Sequence, residues 1–214
     1  MDNNDCRWPV AIGTTESNEG RVFDYVAASN ILIAGAPKQG KSTAIGTIVD
    51  AIKSCPEASG IKFFSIDTTK PHWDADETLG SLCRELERRE DLRNVGVDIL
   101  GLPMIVAVID EYSDLVEFGS RDSRRFVKDS VLRLATEGPK VGMRLILSTR
   151  HPAQDVKALL DYFPTRMVLR VSDRKDSKLL LKSEAAFWDL NSSGEMFLYD
   201  KGVISHCSLS GVTH

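Results

Sequence analysis

Eight consecutive residues, Gly35-Ala36-Pro37-Lys38-Gln39-Gly40-Lys41-Ser42, constrain this chain more than any other stretch. They follow the apolar run Ile31-Leu32-Ile33-Ala34 without a break and lead into a helix-like segment, Ser42–Ser54. The pattern is GxxxxGK[ST] in the strand-then-helix context that the motif requires. Glycines let the backbone turn so that successive N–H groups point inward, and the helix N-terminus adds the positive end of its dipole. Lys41 can then neutralise β- and γ-phosphates, and the Ser42 hydroxyl can reach a magnesium ion. Gly35, Ala36, Pro37, Lys38, Gln39, Gly40, Lys41, Ser42 and Thr43 are the expected nucleotide-binding residues, with ATP and Mg²⁺ as the expected cofactors. A chance glycine-rich turn would explain neither the strand nor the Lys-Ser pair.

The rest of the chain alternates in the same way. Apolar, β-branched runs at Ile31–Gly35, Ile61–Asp67, Met104–Asp110 and Arg144–Thr149 do not alternate with polar residues, which suits parallel strands buried on both faces. Helical spacing appears at Ser42–Ser54, at Asp76–Leu92 through Leu79, Leu82 and Leu86, and at Ser123–Thr136. Strand and helix in turn imply right-handed crossovers and an α/β sandwich of the RecA-like P-loop type, with a mostly parallel central sheet flanked by helices. A fifth strand is expected at Arg166–Val171, and Glu195–Tyr199 with Val203–Leu209 reads as a closing β-hairpin. Trp8 is expected to begin a first β segment, and residues 1–214 to form one domain.

The run Pro103–Ile109 delivers Asp110-Glu111 to the carboxyl end of a strand, where open α/β sheets bind ligands. That is a Walker B arrangement, in which Asp110 joins Ser42 at the metal and Glu111 polarises the attacking water. Leu145–Arg150 is another apolar strand with a polar end, and Thr149 and Arg150 are expected to sense the γ-phosphate. Strand-end Ser and Thr are also common turn formers, so a plain solvated loop is the competing reading there. Asp67 reads equally as a second-layer contact of the site or as an Asx-turn with Thr68 and Thr69.

A formal net charge of −4 denies the chain a global electrostatic footprint for nucleic acid, so any DNA contact has to come from a local patch or an assembled ring. Cys6, Cys55, Cys83 and Cys207 show no CxxC spacing, and a reducing, cytoplasmic setting without disulfides is expected. Apolar stretches fall far below the roughly 20 residues that cross a bilayer, so a protein working at a membrane would be tethered by another domain or protein.

Val108-Ile109-Asp110-Glu111-Tyr112-Ser113-Asp114-Leu115 resembles the Asp-Glu-Phe-Ala-Asp-Leu stretch of FtsK/SpoIIIE motor domains, and the likeness continues in order. Val131–Ala135, Gly142 and Leu145–Pro152 are similar to that family's Arg-Leu-Ala, Gly and Leu-Ala-Thr-Gln-Arg-Pro run. Pro164-Thr165-Arg166, Val171–Ser177 and Gly194–Tyr199 resemble its Pro-Thr-Arg, Val-Ser-Ser-Lys-x-Asp-Ser and Gly-Asp-Met-Leu-Tyr; upstream, Ser65-Ile66-Asp67 and Arg84–Arg89 look like its Met-Ile-Asp and Met-Glu-Arg-Arg. The resemblance spans roughly residues 8 to 212. It implies an ATPase that assembles as a homo-oligomeric ring, usually a hexamer, around double-stranded DNA and walks along it.

Departures from the family's pattern shape the expectation further. The finger arginine, six positions after the residue matching Arg133, falls on Pro139, with Lys140 beside it as the nearby substitute. Such a finger is worth about 10³–10⁵ in rate where it is used. Arg150 replaces the sensor glutamine, and Arg174 replaces the lysine of Val-Ser-Ser-Lys, so Lys140 and Arg174 are the expected trans-acting or sensor cations. The family's separate N-terminal and winged-helix domains are not expected in these residues.

Arg121, Arg124, Arg125 and Lys128 are candidate contacts to DNA phosphates, against the alternative of a solvated charged face interrupted by Asp122 and Asp129. Three functional readings follow: a DNA-translocating ATPase for chromosome, plasmid or conjugative-element transfer; a type VII secretion-type ATPase module with a secretion-complex partner; and a slow ATP-binding switch without motor activity.

Overall fold

The computed structural model describes residues 9–14, 20–24, 29–56, 60–99 and 101–209. Along the chain run β1 (Pro9–Thr14), β2 (Gly20–Asp24), β3 (Ile31–Ala34), α1 (Lys41–Lys53), β4 (Lys62–Asp67), α2 (His72–Asn94), β5 (Ile105–Asp110), α3 (Tyr112–Glu117), α4 (Arg121–Glu137), β6 (Met143–Thr149), α5 (Pro152–Asp155), β7 (Thr165–Leu169), α6 (Arg174–Leu181), α7 (Ala185–Trp188), β8 (Glu195–Asp200) and β9 (Val203–Leu209). Trp8 and Cys6 lie outside the described residues. The chain divides into two compact units, one of residues 1–59 with 148–214 and one of residues 60–147.

In the second unit β4, β5 and β6 pair in parallel, in register from Lys62↔Ile105 to Asp67↔Asp110 and from Ile105↔Met143 to Ile109↔Leu147. Ile105 to Ile109 are all buried, as expected of an unalternating strand covered on both faces. Helices α2 and α4 pack together. Leu79, Leu82 and Leu86 of α2 are buried, as are Val127, Val131 and Leu134 of α4, so each helix buries one apolar stripe. Helix α4 starts where the Ser120 side chain accepts from the Ser123 N–H at 3.1 Å. Helix α2 begins a turn earlier than the leucine spacing predicts. Pro71 is extended at its N-cap (φ −56°, ψ 144°) and Asp74 supplies a carboxylate to the first turn, a start set by backbone and charge rather than by apolar periodicity.

A buried cation organises this unit. Arg89, 2% exposed, gives its Nε to Glu85 at 2.7 Å, Nη1 to the Val141 carbonyl at 3.0 Å and Nη2 to the Pro103 carbonyl at 2.7 Å. A buried guanidinium is tolerated only when its donors are matched in this way. Arg133 adds a link between the helices through Glu87 (2.6 Å) and Glu90 (3.2 Å).

In the first unit β3 pairs in parallel with β7, and β7, β8, β9, β1 and β2 continue as antiparallel neighbours. The expected hairpin is present: Asp200 pairs with Val203 across Lys201 (φ 48°) and Gly202 (φ 88°), the two-residue turn with both central φ values positive that matches strand twist. Helix α1 packs on β1 and β3. Its inward face is Ala44, Ile45, Ile48 and Ile52.

The Arg88 guanidinium, ahead of that of Arg89, holds the Glu85 carboxyl well below its usual range, at about 2. A depressed folded-state value means stability that is full above the unfolded value near 4.5 and lost as pH falls through 2. Glu85→Gln is therefore expected to cost about 1–3 kcal/mol at neutral pH, less than the full shift converts to because Glu85 is partly solvated. Denaturant titrations across pH should show that difference closing between pH 4.5 and 2; a difference that does not change with pH contradicts the assignment.

Candidate nucleotide-binding site

Local geometry at the loop follows from its residue types. Gly40 adopts φ 104° at the N-cap of α1, and Lys38 at φ 64° makes a second left-handed turn. Between them the chain reverses tightly enough to bring the Lys41 side chain back under the loop, where its Nζ donates to the Gly35 carbonyl at 3.0 Å and the Ala36 carbonyl at 3.4 Å. Lys41 is 8% exposed, whereas Ser42 and Thr43, in the first turn of the helix, are exposed along with Pro37 and Lys38. A buried ammonium held beneath a turn of backbone, with two hydroxyls on the opening turn of a 13-residue helix, fits a polyphosphate and its magnesium ion by donor chemistry.

The loop hangs from its neighbours through its backbone. Gly35 N–H donates to the Thr149 carbonyl at 3.2 Å and Ala36 N–H to the Arg170 carbonyl at 2.8 Å. At its far side the Gln39 carbonyl accepts from Gly194 N–H at 3.1 Å, and the Lys38 carbonyl from the Ser193 hydroxyl at 3.2 Å. Sequence reasoning did not find Arg170, Ser193 or Gly194 as loop supports, because their contribution is backbone geometry across long sequence separations. Only the Gly194–Tyr199 resemblance marked the last of them.

Thr149 is fully buried; its hydroxyl donates to Asp155 Oδ2 at 2.9 Å and accepts from His151 N–H at 3.2 Å. Its nearest role is thus to shape the turn after β6. Arg150 is half-buried beside it. Arg174 opens α6 and is exposed, with its guanidinium 5.8 Å from the centre of the Trp188 ring.

In the second unit, Asp110 ends β5 and Glu111 follows it as the N-cap of α3, both half-buried. Thr68 Oγ1 donates to the Asp110 carbonyl at 3.0 Å, tying the end of β4 to the end of β5. Asp67 makes the Asx-turn: its Oδ1 accepts from Thr69 N–H at 2.9 Å and from the Thr69 hydroxyl at 2.6 Å, and these bonds hold its carboxyl below the usual range. Glu111 adopts φ 76° and ψ 72°, left-handed backbone that costs a side-chain-bearing residue about 1–3 kcal/mol and persists where surroundings over-determine it, often at functional sites. No sequence pattern announces that strain.

Arg121, Arg124, Arg125 and Lys128 surround a depression of about 340 Å³ together with Val116 and Asp129. Arg125 also faces Asp129 at 3.6 Å. Lys140 is bonded to Glu137 at 2.7 Å, and Pro139 sits in a 3-10 turn over Gly138–Val141, its carbonyl accepting from Arg144 at 2.9 Å. A larger depression, about 750 Å³ and lined by residues including Asp76, Gly80, Cys83 and Phe126, shares none of the motif residues. Among the described residues no helix is long and apolar enough to cross a membrane, and no group of His, Cys, Asp and Glu side chains forms a metal cluster.

The loop's closeness to β7 makes Gly35 a sensitive position. A Cβ there would lie 2.9 Å from Leu169 Cβ and 3.4 Å from the Arg170 carbonyl. Gly35→Ala is expected to destabilise by about 1–3 kcal/mol, as overpacking does. The check is a lower denaturant midpoint at unchanged slope, and an unshifted midpoint contradicts the close packing.

Residues 1–75 match the FtsK/SpoIIIE family. DNA translocase FtsK of Borreliella burgdorferi is 28% identical over 85% of this chain and 27% of its own length, and that of Chlorobaculum tepidum is 28% identical over 91% of this chain and 29% of its own. The chain thus spans less than a third of either relative. Among solved structures, the pCW3 conjugation coupling protein TcpA, determined as a monomer with ATPγS, superposes with a TM-score of 0.80 at 20% identity, covering 98% of this chain and 68% of that one. The cytoplasmic domain of the Thermomonospora curvata type VII secretion ATPase EccC also reaches 0.80, at 19% identity over 97% of this chain and 29% of that one. In its ordered motifs, in the family match over residues 1–75 and in its α/β fold, this chain is similar to the FtsK/SpoIIIE motor domains.

Proposed function

We propose that this chain is an ATP-binding and ATP-hydrolysing motor domain that couples turnover to movement of double-stranded DNA. The observation that carries the reading is the buried Lys41 amine beneath the turn of the loop, at the start of α1. In this reading residues 1–214 act as one RecA-like domain. Residues Gly35 to Thr43 bind the phosphates through N–H groups and the Lys41 charge. Ser42 and Asp110 hold the magnesium ion, which when bound neutralises charge on the transferred phosphoryl group. Glu111 orients the attacking water and accepts its proton, and Thr149 and Arg150 register the γ-phosphate. Lys140 and Arg174 are the cations offered to a neighbouring copy in a homo-oligomeric ring, and Arg121, Arg124, Arg125 and Lys128 contact DNA phosphates. The protein works in the cytoplasm, with any tether to the inner face of a membrane or to a secretion complex supplied by another domain or partner.

The FtsK relatives carry the name DNA translocase, which favours DNA as cargo. One observation favours a slower enzyme: Pro139 occupies the finger position, and the adjacent Lys140 is already paired with Glu137. A slow switch, or a secretion-type module sharing the EccC fold, is the second reading.

Steady-state ATP hydrolysis with Mg²⁺, with and without long duplex DNA and over a range of protein concentrations, separates the two. The motor reading predicts turnover that rises with both DNA and protein, and a loss of about 10²–10⁴ in Glu111→Gln, the range general base catalysis supplies. DNA binding should weaken with salt at a log–log slope of about −3 to −4 if all of the basic residues around the depression neutralise phosphates. DNA-indifferent hydrolysis would move the assignment to the second reading, and full activity in Glu111→Gln would sink the catalytic role.

A further inference from the structure

We propose that Asp176 is a positioning residue that locks the turn after β6 to the helix bearing Arg174, so that both segments are held in one arrangement with the phosphate-binding loop. The inference rests on the ATPase reading and concerns residues of the first unit only.

Asp176 is 7% exposed, and its Oδ1 accepts from the backbone N–H of Ala153 at 2.9 Å. That N–H is in the first turn of α5, where no intrahelical carbonyl is available to it. The carboxylate therefore supplies the missing acceptor, and the bond offsets part of the cost of burying it. Burial still pushes the Asp176 carboxyl up, with Asp173 and Asp155 acting in the same direction and the Ala153 N–H and His151 against it. A buried acid kept among other acids is an expensive way to hold a turn unless the connection itself is used.

The connection closes a circuit. The loop is bonded to the end of β6 through Gly35 N–H and the Thr149 carbonyl, and to the exit of β7 through Ala36 N–H and the Arg170 carbonyl. Thr149 is bonded to Asp155 at 2.9 Å, which fixes the turn that carries Arg150 and His151. Asp176 then joins that turn to α6, which begins at Arg174. The next residue, Ser177, is fully buried; its hydroxyl donates to the Ser183 carbonyl at 2.8 Å and accepts from Ala186 N–H at 3.1 Å, so α6 is anchored on its other side as well. Loop, sensor turn and Arg174 helix are thus joined through these hydrogen bonds and the chain from Arg170 to Arg174, with Ala153–Asp176 linking the last two.

The test compares Asp176→Ala with Asp176→Asn, which keeps an acceptor oxygen at the same place and removes the charge. Each variant is measured for ATP affinity, kcat and KM, together with hydrogen exchange at the Ala153 amide. The expected result is a kcat about 10–100-fold lower in Asp176→Ala, the scale of a small misplacement near a reacting centre, with ATP affinity and KM within about 2-fold. Asp176→Asn should recover kcat to within about 3-fold, and Ala153 should lose protection in the Ala variant alone. Unchanged kcat in Asp176→Ala overturns the proposal, as does an Asn variant as slow as the Ala variant. Should Asp176→Ala fail to fold, an Ala153 amide in the unaltered chain that exchanges like an open loop also overturns it. Absent turnover in the unaltered chain would instead sink the ATPase reading.

Discussion

The loop from Gly35 to Gly40 is tied to its neighbours through its backbone groups, so its shape depends on what that backbone hangs from. Two N–H groups at its start are taken up by carbonyls at the ends of β6 and β7, and two carbonyls at its far side by Ser193 and Gly194. With those bonds made, the remaining polar group of consequence is the Lys41 amine, and the loop's own carbonyls at Gly35 and Ala36 receive it. An arrangement in which the backbone N–H groups are oriented and the cation is already buried has lost its conformational entropy in folding. Less would remain to be lost on binding an anion, which is what the proposed phosphate site requires.

The same economy appears where charge is buried elsewhere. Arg89 satisfies two backbone carbonyls and a carboxylate, and so holds the entry to β5 and the turn before β6 against one helix. Asp176 does the corresponding work in the other unit with opposite sign. Neither residue is cheap to bury, and in both cases backbone groups are among the partners, with Glu85 as the side-chain partner of Arg89. Such contacts position segments with a direction as well as a distance, which hydrophobic packing alone does not provide. Strain enters at Glu111, whose left-handed backbone follows directly from the last pair of the β5 ladder at Asp67↔Asp110.

What was legible in the sequence was whatever has a short period or a short motif. Met104–Asp110 read as a buried strand because burial on both faces removes alternation, and Ser42–Ser54 read as a helix because a glycine-terminated loop precedes an apolar stripe; the structure has them at Ile105–Asp110 and Lys41–Lys53. The turn through Lys201-Gly202 was legible from residue type, and the Asp67 Asx-turn was one of two readings that residue type left equal. Contacts between distant segments were not: Asp176 is 23 residues from Ala153, and Arg89 is 52 from Val141. The hydroxyl of Thr149, read as a sensor group, also donates to Asp155, a partner that strand-end polarity cannot specify. Lys140 was legible as a cation near the finger position, while its capture by Glu137 depends on the 3-10 turn that Pro139 introduces.

Calorimetric titration of ATP with Mg²⁺ into the unaltered chain and into Lys41→Ala tests the central claim most directly, because the substitution removes the buried amine while leaving the backbone cradle's residues in place. The account predicts saturable binding to the unaltered chain and a loss of at least about 10-fold in affinity in the variant, the scale of 1.4 kcal/mol or more for a buried charge-assisted contact. Equal affinity in the two would contradict it, since the loop would then hold its ligand without the one cation the fold buries beneath it.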